Sequence, residues 1–176
     1  PLEGLPSIYV EDASEADTVE ITLTDKKLDL DCILKYSIFR DYPVIARSTA
    51  FRNRGKEAVW LERVFSASVD LPDADYEMIQ LSGAWARERA VITRRLGVGT
   101  QGINSRRGTS SAEQNPFLAI KRPGTSEFQG EVYGFSLIYS GNHMEQVEVD
   151  TCNMARIQMG IHPEGFRWPL ASGESF

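Results

Sequence analysis

The chain has 176 residues, 41% of them hydrophobic and 25% charged, and its 19 Lys and Arg against 25 Asp and Glu leave a formal net charge of −6. This excludes intrinsic disorder, whose signature is low hydrophobicity with high net charge. It also excludes a membrane-spanning helix, since no run approaches the roughly 18 apolar residues one needs. A pI near 5.0 argues against a nucleic-acid partner, which calls for a net basic face.

The length fits one domain over residues 1–176, which buries roughly 70% of the surface its unfolded chain exposes. The opening Pro1-Leu-Glu-Gly-Leu-Pro lacks an initiator Met and a basic-then-apolar leader pattern, and the chain stops on Phe176 without a polar tail. It therefore reads as a piece of a longer protein.

Residues 18–24 and 28–39 read as a hairpin turning at Asp25-Lys26-Lys27. Leu28, Leu30, Cys32, Leu34, Tyr36 and Ile38 share one face at period 2, with Asp29, Asp31, Lys35 and Ser37 opposite, so the apolar set is the expected buried face. Asp41-Tyr42-Pro43 breaks the chain before a strand at 44–51. Asn53-Arg54-Gly55-Lys56 turns it into another at 59–69. After the turn at Leu71-Pro72-Asp73-Ala74-Asp75, strands are expected at 77–82, 87–95, 117–120, 132–139, 146–149 and 155–159. Residues 12–17 form at most a helical turn, without an apolar stripe.

About ten strands separated by Gly, Pro, Asn and Asp turns make an all-β, two-sheet antiparallel sandwich. That is too many for a seven-stranded immunoglobulin-like domain. Residues 97–115 resist the pattern. They read as a long excursion toward a partner surface, with short strand pieces inside it.

Chemistry-bearing motifs are few. Gly97-Val-Gly-Thr-Gln-Gly matches G-x-G-x-x-G, but a pyrophosphate site needs a helix N-terminus directly after the glycines, and Ile103-Asn-Ser-Arg-Arg offers none. His143 follows a Gly-Asn turn and His162 precedes Pro163, so both read as loop residues without metal-ligand spacing. Cys32 reads as a small buried hydrophobe, and two cysteines make no disulfide framework, so a reducing, cytoplasmic setting is expected. Asp70, Asp73, Asp75 and Glu77 cluster in a Pro-containing turn, which reads as a solvated corner and not a catalytic carboxylate pair. No catalytic residue, cofactor or metal site is assigned.

Charge is unevenly spread. Residues 84–122 carry eight basic residues against Glu88 and Glu113. Two readings stand: a strand face paired with acidic neighbours, or a contact surface for another domain or subunit. Trp85, beside Gly83, Arg87 and Arg89, has the polar-aromatic character of a contact site. Tyr133 and Tyr139 read as core packing in preference to a sugar-stacking platform.

Leu81-Ser-Gly-Ala-Trp-Ala-Arg-Glu-Arg resembles a signature of the N-terminal domain of bacterial glycoside hydrolase family 36 α-galactosidases. Further stretches agree in order: Leu2-Glu-Gly-Leu-Pro with Tyr9-Val-Glu-Asp, then Phe65-Ser-Ala-Ser-Val-Asp-Leu-Pro-Asp-Ala-Asp-Tyr-Glu, then Ser105-Arg-Arg-Gly-Thr-Ser-Ser with Asn115-Pro-Phe-Leu-Ala. Gly130-Glu-Val-Tyr-Gly-Phe-Ser-Leu-Ile-Tyr-Ser-Gly-Asn, continuing to Gln146-Val-Glu-Val-Asp, completes the set, so the resemblance covers nearly the whole chain.

The resemblance implies most of a galactose-mutarotase-like β-supersandwich, truncated at both ends. It implies a parent in which this domain precedes a catalytic (β/α)₈ barrel and a small C-terminal β-sandwich. That parent would be a cofactor-free retaining hydrolase of terminal α-galactosides such as melibiose and raffinose, using two barrel aspartates. Both aspartates lie outside this chain, which is then inactive alone. Trp85, Arg87, Arg89, Arg106, Arg107, Thr109 and Ser110 match the densest motifs and are the candidate contacts to the barrel or to a second copy in a homo-oligomer. Rival readings are a stand-alone sugar-binding module, an aldose-epimerase-like enzyme needing a His acid with a Glu base, and a purely structural oligomerising domain.

Overall fold

A computed structural model describes residues 1–2, 4–5 and 7–176. Among them it contains β-strands only, and each ladder with a described register is antiparallel, as the alternation requires. The strands are β1 (Ala16–Asp25), β2 (Leu30–Phe39), β3 (Ile45–Asn53), β4 (Val59–Leu61), β5 (Phe65–Leu71), β6 (Glu77–Ala84) and β7 (Arg87–Arg95). Then follow β8 (Gly99–Ser105), β9 (Gln114–Lys121), β10 (Val132–Ser136), β11 (His143–Val149), β12 (Ala155–Ile161) and β13 (Trp168–Leu170).

The chain divides into two compact units, Pro1–Ala67 with Phe166–Phe176, and Ser68–Gly165. The first holds the sheet β1-β2-β3 and the ribbon β13-β4. In β2 the burial runs against the expected sidedness: Asp31 and Ser37 are buried, whereas Leu30, Cys32, Leu34 and Tyr36 are half-buried and Ile38 is exposed. The polar face is well satisfied. Thr18 and Ser37 hydroxyls lie 2.7 Å apart, Thr24 Oγ1 donates to Asp31 at 2.7 Å, and Arg54 Nε reaches Asp31 at 2.8 Å. These partners, the Thr24 hydroxyl first, hold the Asp31 carboxyl below its usual range. Leu28 sits in the turn before β2, where it is exposed.

The second unit is a sandwich of two four-stranded sheets, β10-β9-β6-β7 and β5-β12-β11-β8. Its core joins Met78 of β6 with Leu118 and Ile120 of β9 on one side to Val147 and Val149 of β11 and Ile157 of β12 on the other. Alternation places these side chains inward, and burying each large one contributes about 1.5–3 kcal/mol.

Four further expectations are corrected. The strand expected at 59–69 splits around Glu62-Arg63-Val64 into β4 and β5, which join different sheets. The excursion expected from residue 97 begins with a true strand, β8, because an edge strand needs few apolar residues: Ile103 alone of its large side chains is buried. His143 is no loop residue; it opens β11 with no exposed surface. Cys32 is half-buried instead of buried.

The glycine motif also finds its explanation. Gly102 pairs with Gln146 across the β8–β11 ladder, and a Cβ there would meet the Glu145 carbonyl oxygen at 2.2 Å. The glycine serves a close strand approach and no phosphate. Gly102→Ala should therefore loosen this ladder at a cost of about 1–3 kcal/mol, read as faster amide exchange in β8 and β11 while β6 and β9 keep their protection.

Candidate contact site at the 84–89 hairpin

The β6–β7 hairpin turns on Trp85-Ala86. Gly83 permits its tightness, since a Cβ there would lie 2.4 Å from the Arg87 carbonyl oxygen. Ala86 and Arg89 adopt left-handed φ values of 65° and 58°, a conformation that costs a residue with Cβ about 1–2 kcal/mol. Glu88 supports the turn by accepting the Ala86 N–H at 2.9 Å. Strain of this kind concentrates at functional sites. At the tip the Trp85 side chain is 92% exposed.

Most of the basic stretch is paired. Arg95 meets Asp75, Arg106 meets Glu164, Arg107 meets Glu113 at 2.8 Å, Lys121 meets Glu77 at 2.7 Å, and Arg94 donates to Gln80. Arg122 forks onto Asp73 at 2.6 and 3.0 Å while its guanidinium stacks 3.8 Å above the Tyr76 ring. Arg87 and Arg89 form no ion pair among the described residues. The two readings of the stretch thus divide: paired strand faces for most of it, an open basic tip at the hairpin.

Arg89 and Glu88 line a shallow cleft of about 470 Å³ with Ser110, Ser111, Ala112 and Asn115. Of the seven candidate residues, Arg89 and Ser110 come together here, with Trp85 and Arg87 on the same hairpin. The loop wall is tied down: Ser105 Oγ donates to the Thr109 carbonyl at 2.6 Å, Ser110 N–H to the Ser140 carbonyl at 2.7 Å, and Gly83 N–H to the Glu113 carbonyl at 3.0 Å. Arg106 and Arg107 are turned to their own carboxylates instead.

A buried acid–base pair went unseen in the sequence. His143 and Glu145 lie inward on β11 in phase with Val147 and Val149, and all four are shut from solvent. His143 Nδ1 is 3.6 Å from Glu145 Oε1, too long for a hydrogen bond, and both Glu145 oxygens lack a partner. Burial lifts the Glu145 carboxyl to about 8 and lowers the His143 imidazole, so each is neutral at neutral pH. His143 Nε2 lies 3.3 Å from the Gln114 carbonyl, to which it donates as the N–H tautomer. Closed from solvent, the pair has no route to a sugar and does not form the His–Glu site an epimerase needs. The alternation His-x-Glu-x-Val-x-Val was the available signal. Among the described residues, no three His, Cys, Asp or Glu converge as a metal site.

The family model for the glycosyl hydrolase family 36 N-terminal domain matches residues 1–171. The chain belongs to this family. It is 50% identical to α-galactosidase AgaA of Geobacillus stearothermophilus over 99% of its own length and 24% of that protein's. It is 45% identical to α-galactosidase Mel36A of Lactobacillus acidophilus, again over 99% of the chain and 24% of the relative. The crystal structure of AgaA superposes with a TM-score of 0.97, covering 100% of the chain and 24% of that structure. The galactosidase domain of the α-galactosidase–sucrose kinase AgaSK does so at 0.95, with 36% identity and the same coverage. This family 36 domain thus spans about a quarter of the relatives it matches.

Proposed function

We propose that this family 36 domain is part of a retaining α-galactosidase, whose catalytic barrel lies outside the chain, and that it acts as the barrel's scaffold and as an assembly surface. The carrying observation is the match over residues 1–171 to the family's N-terminal domain, alongside relatives that are α-galactosidases. Crystal structures of variants of one relative hold stachyose and raffinose, which supports terminal α-galactosides as the parent's substrates. Among the described residues no pair of carboxylates faces a cleft as nucleophile and acid, which supports a chain that is inactive alone. The unpaired thiols Cys32 and Cys152 are consistent with a reducing, cytoplasmic setting.

The hairpin tip is the contact to the barrel or to a second copy in a homo-oligomer. Arginines suit this role because a planar guanidinium forks onto carboxylates across an interface. In the full-length parent, Arg87→Ala with Arg89→Ala should lower kcat/KM about tenfold or shift the sedimenting mass. Arg106→Ala with Arg107→Ala should have a smaller effect, because those side chains already have partners within the domain. Unchanged kinetics and unchanged mass in both double variants would overturn the contact role.

A second reading, sugar binding by the domain itself, draws on the exposed Trp85 above a polar cleft. Titration calorimetry of the chain with melibiose and raffinose tests it. Absence of heat at millimolar sugar removes it.

A further inference from the structure

The sheet β1-β2-β3 has its sidedness inverted. Its polar face is satisfied, while its apolar face is open along β1 and half-covered over β2 and β3, where Thr49 donates to the Ser66 carbonyl at 3.3 Å. In register, Val19, Ile21 and Leu23 of β1 stand beside Tyr36, Leu34 and Cys32 of β2, which stand in turn beside Arg47, Thr49 and Phe51 of β3. Val19, Ile21, Leu23, Ile38 and Ile45 are each between 43% and 65% exposed. A contiguous apolar sheet face of this kind marks an interaction surface.

Away from its two ends, this face carries one charged residue, Arg47. The Arg47 guanidinium lies 4.9 Å over the Tyr36 ring. Its Nε and Nη1 are buried, yet they have no hydrogen-bond partner. Ring stacking accounts for one face of the cation and leaves its in-plane donors unmet, and buried charged donors are costly unless paired. The fork they form fits a carboxylate. The face's own carboxylates, Asp17 and Asp25, sit at the two ends of the edge strand, beside Ile38 and Leu30 and away from Arg47 in the register. The relatives extend well beyond this chain, which covers 24% of their length, so most of such a parent is available as the occupant.

We propose that this face is the seat of a segment of the parent chain outside residues 1–176, an apolar strand or helix face carrying one aspartate or glutamate that pairs with Arg47. This rests on the reading of the chain as a domain of a longer protein. It goes beyond that reading in assigning where the remainder docks and through which charge.

The test uses the full-length parent with Cys152→Ser as background. Ile21→Cys is introduced on the face, and Lys27→Cys in the exposed β1–β2 turn as control. Maleimide labelling is followed by peptide mass spectrometry. The Ile21→Cys thiol should label at least about 100-fold more slowly than the control, at all protein concentrations. Adding Arg47→Met should raise the Ile21→Cys rate about tenfold or more, because the segment's carboxylate then lacks its partner.

Labelling of Ile21→Cys at the control rate, protection lost on dilution to the monomer, or indifference to Arg47→Met would each overturn the proposal. A photo-cross-linking residue, Ile21→p-benzoylphenylalanine, names the occupant. Adducts should map to peptides outside residues 1–176 of the same polypeptide. Adducts within 1–176, or between isotopically heavy and light copies, overturn it. α-Galactosidase activity of the unmodified parent, assayed alongside, reports separately on the proposed function.

Discussion

Asn53→Ala should cost the first unit about 3–5 kcal/mol, the sum expected when buried hydrogen-bonding groups are orphaned at about 1–3 kcal/mol each. Asn53 has no exposed surface. Its Nδ2 donates to the Glu57 carbonyl at 2.8 Å and to the Leu170 carbonyl at 2.9 Å, and its Oδ1 accepts the Gly55 N–H at 2.9 Å. Its backbone adds two more bonds, donating to Glu174 O at 3.0 Å and accepting from Gly173 N at 2.8 Å. One side chain therefore ties the 53–57 turn to a stretch that follows it by more than a hundred residues. Alanine deletes all three side-chain bonds, taking one donor from each of two carbonyls and the acceptor from the Gly55 N–H. Asn53→Asp keeps the acceptor but loses the donor and adds a buried charge, so it should do at least as much damage. Urea unfolding of the chain, compared with wild type, is the measurement. A loss below about 1 kcal/mol in both variants would show that water replaces these bonds.

The stability of the sandwich should decline as pH rises, and Glu145 is the cause. Burial pushes its carboxyl up to about 8 in the folded state, against 4.5 for an ordinary glutamate. Between these values the folded state holds a proton that the unfolded state has released. Stability then falls with increasing pH across that window and levels off above it. The integrated loss is of the order of 3–5 kcal/mol. His143 acts in the opposite sense at the acid end. Burial lowers its folded value below 6.5, so below that pH the unfolded imidazole takes up a proton that the folded one resists. His162, itself lowered by burial and by Arg106, adds to the acid-side loss.

Glu145→Gln is neutral at every pH and nearly the same shape. It should flatten the profile between pH 5 and 8 and raise stability at pH 8.5 by about 2–3 kcal/mol. Denaturation at pH 5.5, 7 and 8.5 decides the matter. A wild-type profile parallel to that of the variant would mean that the carboxyl is not the titrating group.

The sequence pattern carried the strand hairpins well because period 2 is strongest where an apolar face is long, as in β1 and β2. It carried short or edge strands poorly. β8 has Ile103 as its single buried large side chain, and β13 is three residues long with Pro169 at its centre. The failure at β2 is of another kind. Alternation shows which residues share a face but not which face is covered, and here Asp31 and Ser37 are buried while Ile38 is exposed. At the candidate site, Gly83, Trp85 and the arginines were legible as a compact motif. Which arginines were already committed was not legible, because their carboxylates come from remote positions: Asp73 for Arg122, Glu164 for Arg106.

The acidic corner bears on how the domain is made. Asp70, Asp73, Asp75 and Glu77 lie within one short stretch, yet they reach Arg156 on β12, Arg122 after β9, Arg95 on β7 and Lys121 on β9. Exposed pairs of this sort each contribute little, about 0–1 kcal/mol. Their spacing along the chain matters more than their strength. On a ribosome the corner emerges before all four of its partners, the last of which follows 86 positions after Asp70. At roughly 5–20 residues per second the stretch carries unmatched negative charge for several seconds. The partners then arrive in chain order: Arg95 on the edge strand β7 first, Lys121 and Arg122 next, and Arg156 on β12 last.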